Sequence, residues 1–557
     1  MKIENLKNVG IFIGIIILTS FTSSSFAQQK NRDFETGKNL EIFFNTYKGI
    51  NTMYVDSLNN NLIVRKAIDA MLKELDPYTV YFDEKEMKDF TFATTGKYGG
   101  VGALIRKKDV DNYGIVESTY KGFPMDKAGV IGGDTIIAID GIDVKKAKVG
   151  DLSSKMKGKS NSIVKMRIKS LLTGKIKNHN IKREIIKISP IDYSGFINDS
   201  IGYISFNTFS KDGAEYFKKA LLEMKETGNL KGLVLDLRNN GGGIIDEAVN
   251  IVGCFVPKGT KVVDMKGRSK KNTKTYSTHS NPIDLELPLA VLINSSSASA
   301  SEIVTGTLQD RDRAVIIGGR SFGKGLVQGT QNVGFGSIVK VTIAKYYIPS
   351  GRCIQALDYS HRNEDGSVGK VPDSLVTKFK TLNGRTVYDG GGITPDIKIE
   401  SKYMSIFVAS IYARGYFDDF SINYFKKYRT APAIDFSLSE KEYQNFCSFI
   451  MDKDIEFSSK SESNLEKLIE SSKKEKIYDK IKNSIDSIEV IIKHKDREKS
   501  LKENKKEIIS MIESSIVGRY YYQAGKVEKM IKKDTVNNKA IEILSNNKKY
   551  NSILTTK

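Results

Sequence analysis

Histidine is scarce in this chain: its 557 residues include four, His179, His279, His361 and His494. None stands in a glycine-rich or strand-end setting of the kind that positions a base. His279 sits in a polar loop, where an isolated histidine is ordinarily solvated. Cysteine is as sparse. Cys254, Cys353 and Cys447 are odd in number and widely spaced, so they make no disulfide framework. None has the setting of a catalytic thiol, and buried packing is the expectation for all three. Neither Cys-x-x-Cys nor His-Glu-x-x-His occurs, so no metal or cofactor is expected. Nucleotide loops are missing too: there is no Gly-x-x-x-x-Gly-Lys-Ser/Thr and no strand followed by Gly-x-Gly-x-x-Gly.

The apolar run 9–18 is shorter than the roughly 20 residues that span a bilayer. Lys2 and Lys7 precede it, and a serine-rich stretch ends at Ser25-Phe26-Ala27. Residues 1–27 therefore read as a cleavable export signal with small residues at −3 and −1. No cysteine follows the cleavage point, so a soluble protein of the periplasm or cell envelope is expected. The net charge of +21 is spread over lysines interleaved with acids. That pattern reads as a solvated surface facing anionic lipid or polymer, not as the basic, aromatic-studded patch of a nucleic-acid binder. The length allows three or four domains.

What the chain does have is Ser-Ala-Ser-Ala-Ser-Glu at 297–302 and Phe-Gly-Lys-Gly at 322–325. Ser299 follows an apolar strand (289–293) and opens a helix running through Gln309. Ser299 and Glu302 fit the Ser-x-x-Glu capping box, which puts the serine at a helix N-terminus. There the N–H groups and the dipole favour a developing negative charge. Lys324 lies between two glycines after a second apolar run (314–317). A lysine is a base only when neutral, and burial favours that form; a Ser–Lys dyad is a recognised variant of the catalytic triad. Ser297 and Ser301 compete for the nucleophile's place, but capping position and register favour Ser299. A third motif, the buried strand 233–238 with the turn Asn239-Asn-Gly-Gly-Gly243, lets backbone N–H groups approach a ligand closely.

These motifs, in order and spacing, resemble the carboxyl-terminal processing, or tail-specific, serine proteases. The likeness covers roughly residues 35–400. The resemblance implies Ser299 as nucleophile, Lys324 as base and Gln328 as the residue that orients the lysine. It implies an oxyanion hole from the N–H groups of Gly242, with Gly241 the alternative, and Ala300. It also implies a multidomain α/β architecture with a Clp-protease/crotonase-like β/α spiral core. Strands at 201–206, 233–237, 289–293 and 314–317, alternating with helices, suit that core.

Residues 98–185 alternate short strands (101–105, 114–117, 135–139, 163–168) with turns, including Asp140-Gly141. They resemble an inserted all-β PDZ domain, which binds a peptide tail as an added strand. The matching loop places Gly100, Val101, Gly102 and Ala103 at the peptide; Ala103 stands where many such domains carry a bulkier apolar residue. Residues 34–90 read as helical, with Phe43, Phe44, Tyr47, Ile50 and Tyr54 on one stripe, either plain core or a dimer surface. Beyond Pro395 the likeness fades into a lysine-rich helical region with Ile508, Ile512 and Ile516 on one face, expected to serve assembly or substrate cradling.

The expected division is a signal (1–27), an N-terminal helical region (28–92), a PDZ-like domain (93–185), a catalytic domain (186–400) and a helical C-terminal region (401–557). The expected activity is that of an exported serine endopeptidase acting on protein substrates with apolar C-terminal tails. An adaptor or regulator and a homodimer stay open as further partners, and no nucleic acid is expected. Two other readings compete with it. A catalytically silent peptide-binding scaffold would lack Ser299 or Lys324; a crotonase-like acyl-group enzyme would have no use for the PDZ-like module or the export signal.

Overall fold

A parallel strand covered on both faces can be apolar at every position, and the strand ahead of the serine motif, Leu289–Ile293, is. The central sheet contains β1 (Ile191–Phe196), β2 (Ile201–Phe206), β3 (Gly232–Asp236), β4 (Leu289–Ile293) and β5 (Val315–Gly318). The long hairpin β6 (Leu326–Gly334) and β7 (Ser337–Tyr347) follows, and β8 (Ile397–Lys398) completes the central sheet. The sheet order is β1-β2-β3-β4-β5-β8; β1 runs antiparallel to β2 and every other pairing is parallel. Every residue of β3, β4 and β5 is buried.

The computed structural model describes residues 33–108, 111–362, 367–400, 404–453, 455, 460–493 and 497–555. The expected export signal, 1–27, and His494 lie outside the described residues. The chain separates into two compact units, dividing after Tyr81. In the first unit a helix over 33–53 precedes the helix Asn60–Lys73. Asn59 caps the latter through Leu62 N–H, and beyond its end Asp76 accepts from Tyr78 and Thr79 N–H in a tight turn. Of the aromatic stripe, Phe43, Phe44, Ile50 and Tyr54 are exposed and Tyr47 is half-buried.

In the second unit, helices α1 (Gly213–Glu226), α2 (Ile245–Val252) and α3 (Ala300–Asp310) cover one face of the central sheet. Phe217, Leu221, Val249, Ile303 and Leu308 pack there with Ile204, Leu235 and Val291. The opposite face is closed by the end of the chain, α4 (Thr535–Leu544) and α5 (Asn547–Leu554). Ile543, Leu544, Tyr550 and Leu554 bury themselves with Tyr203, Val234, Leu292 and Ile317. Alternate residues of each strand thus feed two separate cores. The lysine-rich composition of the last 157 residues hid this role.

Residues 103–182 form an antiparallel sheet of Ala103–Arg106, Gly114–Thr119, Thr135–Ile139, Ile163–Lys169 and Ile176–Lys182 in that order. Ile163–Lys169 alternates exposed and buried at each step. Asp140 and Gly141 both take positive φ (50° and 83°), as a two-residue hairpin turn demands. The first strand begins at Ala103, not 101: Val101 and Gly102 stand outside it, with their carbonyls accepting from Met125 N–H and Tyr120 N–H. The remaining helices form their own core of Phe417, Phe420, Phe446, Ile508, Ile512 and Ile516. They also hold the β module: Arg519 donates to Glu117 O (3.0 Å) and Ser421 Oγ (3.1 Å), and Arg106 pairs with Asp419 (2.9 Å). Tyr520, Tyr521 and Tyr522 each donate to a neighbouring segment, at Tyr428 O, Pro432 O and Asp126.

Ile543→Ala is expected to lower the unfolding free energy by about 2–5 kcal/mol, the usual cost of a cavity in a packed core. Ile491→Ala, at a position 77% exposed, should change it by less than about 0.5 kcal/mol. Chemical denaturation of the two variants side by side checks that α4 is part of the catalytic sheet's core.

Candidate active site

The loop after β4 and the start of α3 hold three serines with different fates. Ser297 Oγ donates to Leu237 O (2.8 Å) and accepts from Asn294 N–H. Ser301 Oγ donates to Asn240 O (2.8 Å). Both residues are fully buried. Ser299 lies between them and lines a cavity of about 790 Å³. Its backbone is in a rare region, φ 57° and ψ −113°, of the kind that persists only when the surroundings enforce it. The capping box takes an uneven form. Glu302 reaches back to Ser299 N–H (2.8 Å), while the Ser299 side chain makes no cap hydrogen bond.

Lys324 and Gln328 line the same cavity, with Gly241, Gly242 and Tyr346. The structure therefore brings together the serine, lysine and glutamine singled out in the sequence. Gln328 Nε2 donates to Thr342 Oγ1 (3.1 Å) across the β6–β7 hairpin, where the two residues face each other. Apolar side chains complete the walls, including Phe90, Phe209, Met265 and Ile303. His279 is exposed and is not among the lining residues.

Glu302 organises the site. Its carboxylate is completely buried and accepts four hydrogen bonds. Oε2 takes Ser299 N–H (2.8 Å) and Lys324 N–H (2.9 Å); Oε1 takes Gly323 N–H (2.7 Å) and Ser321 Oγ (2.6 Å). Burial pushes this carboxyl's pKa up, while the bonds from Ser321, Lys324, Gly323 and Ser299 favour the charged form. Tyr346, almost fully buried, makes a second tie: its hydroxyl lies in hydrogen-bond reach of both Ser299 O (3.2 Å) and Lys324 O. One side chain links the two N–H groups and another the two carbonyls.

The glycine turn after β3 presses directly on the serine. Gly242 has φ +97°, and a Cβ there would lie 2.8 Å from Ser299 Cβ and 2.9 Å from Ala300 N, so only glycine fits. Its N–H donates to Asn240 Oδ1 (2.9 Å). Asn240, fully buried, also holds Phe206 O through Nδ2 and receives Ser301 Oγ and Ala298 N–H on its carbonyl. Ala300 is the first residue of α3, where an N–H has no intrahelical partner. Below the turn, Arg238 bridges Asp236 and Asp534 (2.6 Å), and Asp534 also caps α4. Asn240, Tyr346 and Asp534 carry no signal in the sequence; Glu302 was visible as a cap but not as a link to Lys324.

In the β module, Val101, Gly102 and Ala103 line a groove of about 170 Å³ between the first strand and the helix Val149–Met156. Gly100 is instead paired with Glu184 in a separate two-stranded ribbon. Cys254 is buried as expected, whereas Cys353 and Cys447 are half-buried; all three are free thiols. Among the described residues no cluster of His, Cys, Asp and Glu is placed to hold a metal ion, and no helix is long and apolar enough to cross a membrane.

The combination defines a class first, an α/β serine peptidase with an appended β module and a helical C-terminal region. Sequence comparison gives the family. The profile of peptidase family S41 matches residues 200–360, that of a PDZ-protease C-terminal helical domain matches 407–544, and that of the N-terminal domain of the activating protease CtpB matches 7–86. A carboxy-terminal-processing protease of Bartonella bacilliformis is 33% identical over 375 residues, covering 67% of this chain and 83% of the relative. A CtpA-like serine protease of Staphylococcus aureus is 34% identical, covering 69% and 75% respectively. Among solved structures, a photosystem II D1 C-terminal processing protease matches with 26% identity and a TM-score of 0.33, covering 65% of this chain and 92% of its own. The chain belongs to peptidase family S41, among the carboxy-terminal-processing serine proteases.

Glu302→Gln puts an amide N–H₂ against at least one N–H or O–H donor. It is expected to destabilise the fold by about 2–4 kcal/mol and to lower kcat/KM by at least about a hundredfold, since a displaced nucleophile or base costs that much. Denaturation curves and peptidase assays on the same preparation check both.

Proposed function

We propose that this peptidase cleaves polypeptides through a Ser299–Lys324 dyad, after their apolar C-terminal tails dock on the PDZ-like module. The observation that carries this reading is the shared cavity: Ser299, Lys324 and Gln328 line it together, and Glu302 and Tyr346 each bind both partner loops. Neutral Lys324 takes the Ser299 hydroxyl proton as Oγ bonds to the scissile carbonyl carbon. The lysine then returns that proton to the leaving amine as the C–N bond breaks. Water attacks the acyl-enzyme with the same lysine as base. Gln328 holds the lysine's orientation.

The developing oxyanion is received by Ala300 N–H and by the glycine turn. Gly242 needs its N–H released from Asn240 Oδ1 to serve; Gly241, exposed at the same cavity, serves without that rearrangement. Donors of this type are typically worth about 100- to 1,000-fold in rate. The sheet order with its covering helices supports the Clp-protease/crotonase-like β/α spiral, and the domain limits set out from the sequence belong to the same proposal. Tail recognition rests on the groove at Val101–Ala103; export and an envelope location rest on residues 1–27 alone. The exposed stripe Phe43, Phe44, Ile50 and Tyr54 favours a homodimer surface over plain core.

The full chain should cut an unstructured protein with an apolar C-terminal tail, and Ser299→Ala and Lys324→Ala should each lose at least about a thousandfold in kcat/KM. Fragments are read by mass spectrometry; undiminished cleavage by Ser299→Ala would remove the nucleophile assignment. Phe43→Asp with Phe44→Asp is expected to halve the mass found by sedimentation equilibrium while leaving the catalytic unit folded.

A further inference from the structure

A second cavity abuts the loop that carries Lys324. It holds about 630 Å³, and none of its lining residues lines the Ser299 cavity. Three cations from separate segments enter it: Arg320, Lys370 and Lys378. Among the described residues none of the three forms an ion pair or a side-chain hydrogen bond. Nearby arginines are matched by acids: Arg352 binds Asp310, and Arg385 binds Asp312 and Asp396. Among the described residues the acid lining this cavity is Asp389, which turns one carboxylate oxygen to Thr377 N–H (2.7 Å). The walls also carry Phe322 and Tyr388, which are 46% and 43% exposed.

The floor of this cavity is part of the catalytic apparatus. Ser321 lines it, donates to Glu302 (2.6 Å) and accepts from Ile393 N–H (2.6 Å). The turn Gly390–Gly392 lies against the same segment. A Cβ on Gly391 would lie 2.7 Å from Arg320 Nη1, and one on Gly392 would lie 2.7 Å from Ser321 Oγ. A guanidinium thus sits over bare backbone, one residue before the serine that braces Glu302.

We propose that this cavity is an exosite for an acidic segment of the polypeptide substrate. The proposal rests on the peptidase reading above. Cations gathered around a concave site attract anions. Charges from three segments beside exposed aromatic surface, in a volume of ligand-pocket size, fit a peptide carrying several carboxylates better than one small anion. A segment held here lies against residues 320–322, which lead directly into Gly323 and Lys324, so one substrate can occupy both cavities.

The test uses two unstructured substrates with the same apolar tail, one carrying a Glu/Asp tract and the other Gln/Asn in its place. The full chain should cleave the acidic substrate with about fivefold higher kcat/KM, through KM, as expected when a few exposed ion pairs form, and 0.5 M salt should erase the difference. Lys370→Gln with Lys378→Gln should abolish the preference while cleaving the neutral substrate as before. Anisotropy of a labelled glutamate 12-mer should report binding to the intact chain and weakening in the variant, independently of turnover. An unchanged preference in the variant overturns the exosite. Equal displacement of the labelled peptide by millimolar inorganic phosphate and by unlabelled glutamate 12-mer would mean a small-anion site and also overturns it. Loss of cleavage of both substrates by the intact chain counts against the peptidase reading instead.

Discussion

The buried carboxylate of Glu302 is the constraint on which the candidate site depends. A charge removed from water is costly unless every lone pair is satisfied, and here four donors satisfy it. Two of those donors belong to Ser299 and Lys324, residues from different loops. The carboxylate can be buried only if the two loops meet at its oxygens, so the electrostatics of one side chain bring together the two backbones that carry the proposed nucleophile and base. Tyr346 repeats the tie on the carbonyl side. The strained backbone of Ser299 is held between these two anchors, with the Gly242 turn against its Cβ.

The rest of the fold places those loops. Parallel strands deliver the glycine turn, the serine loop and the lysine loop to their carboxyl ends, the usual place for a site in such an architecture. Both faces must be covered, and the second cover comes from α4 and α5 at the end of the chain. Asp534 joins that cover to the site: it caps α4 and pairs with Arg238, just ahead of the glycine turn. A region whose sequence suggested assembly or substrate cradling therefore supports the glycine turn directly.

Much of this was legible in the residues. The strand 289–293 was readable as an unbroken apolar run, and Ser299 and Lys324 by their glycine-rich and capping contexts. The Asp140-Gly141 turn was readable because only certain residues accept two successive positive φ values. Glu302 was readable as a cap, because Ser-x-x-Glu is a local pattern. Its second role was not, because Gly323 and Lys324 are some twenty residues away and the contact is made through their backbone, which has no sequence signature. Tyr346 and Asn240 were hidden for the same reason. The helices α4 and α5 were hidden by composition: their lysines face water, while the few apolar residues that reach the sheet are too sparse to stand out.

The most direct measurement of the central claim is the position of the acyl group in a single turnover. An activated peptide ester would be mixed with the full chain, quenched in acid within milliseconds to seconds and mapped by peptide mass spectrometry. The account predicts one acyl adduct, on Ser299, forming much more slowly in Lys324→Ala. An adduct on Ser297, Ser301 or a cysteine, or formation at an equal rate without Lys324, would contradict it.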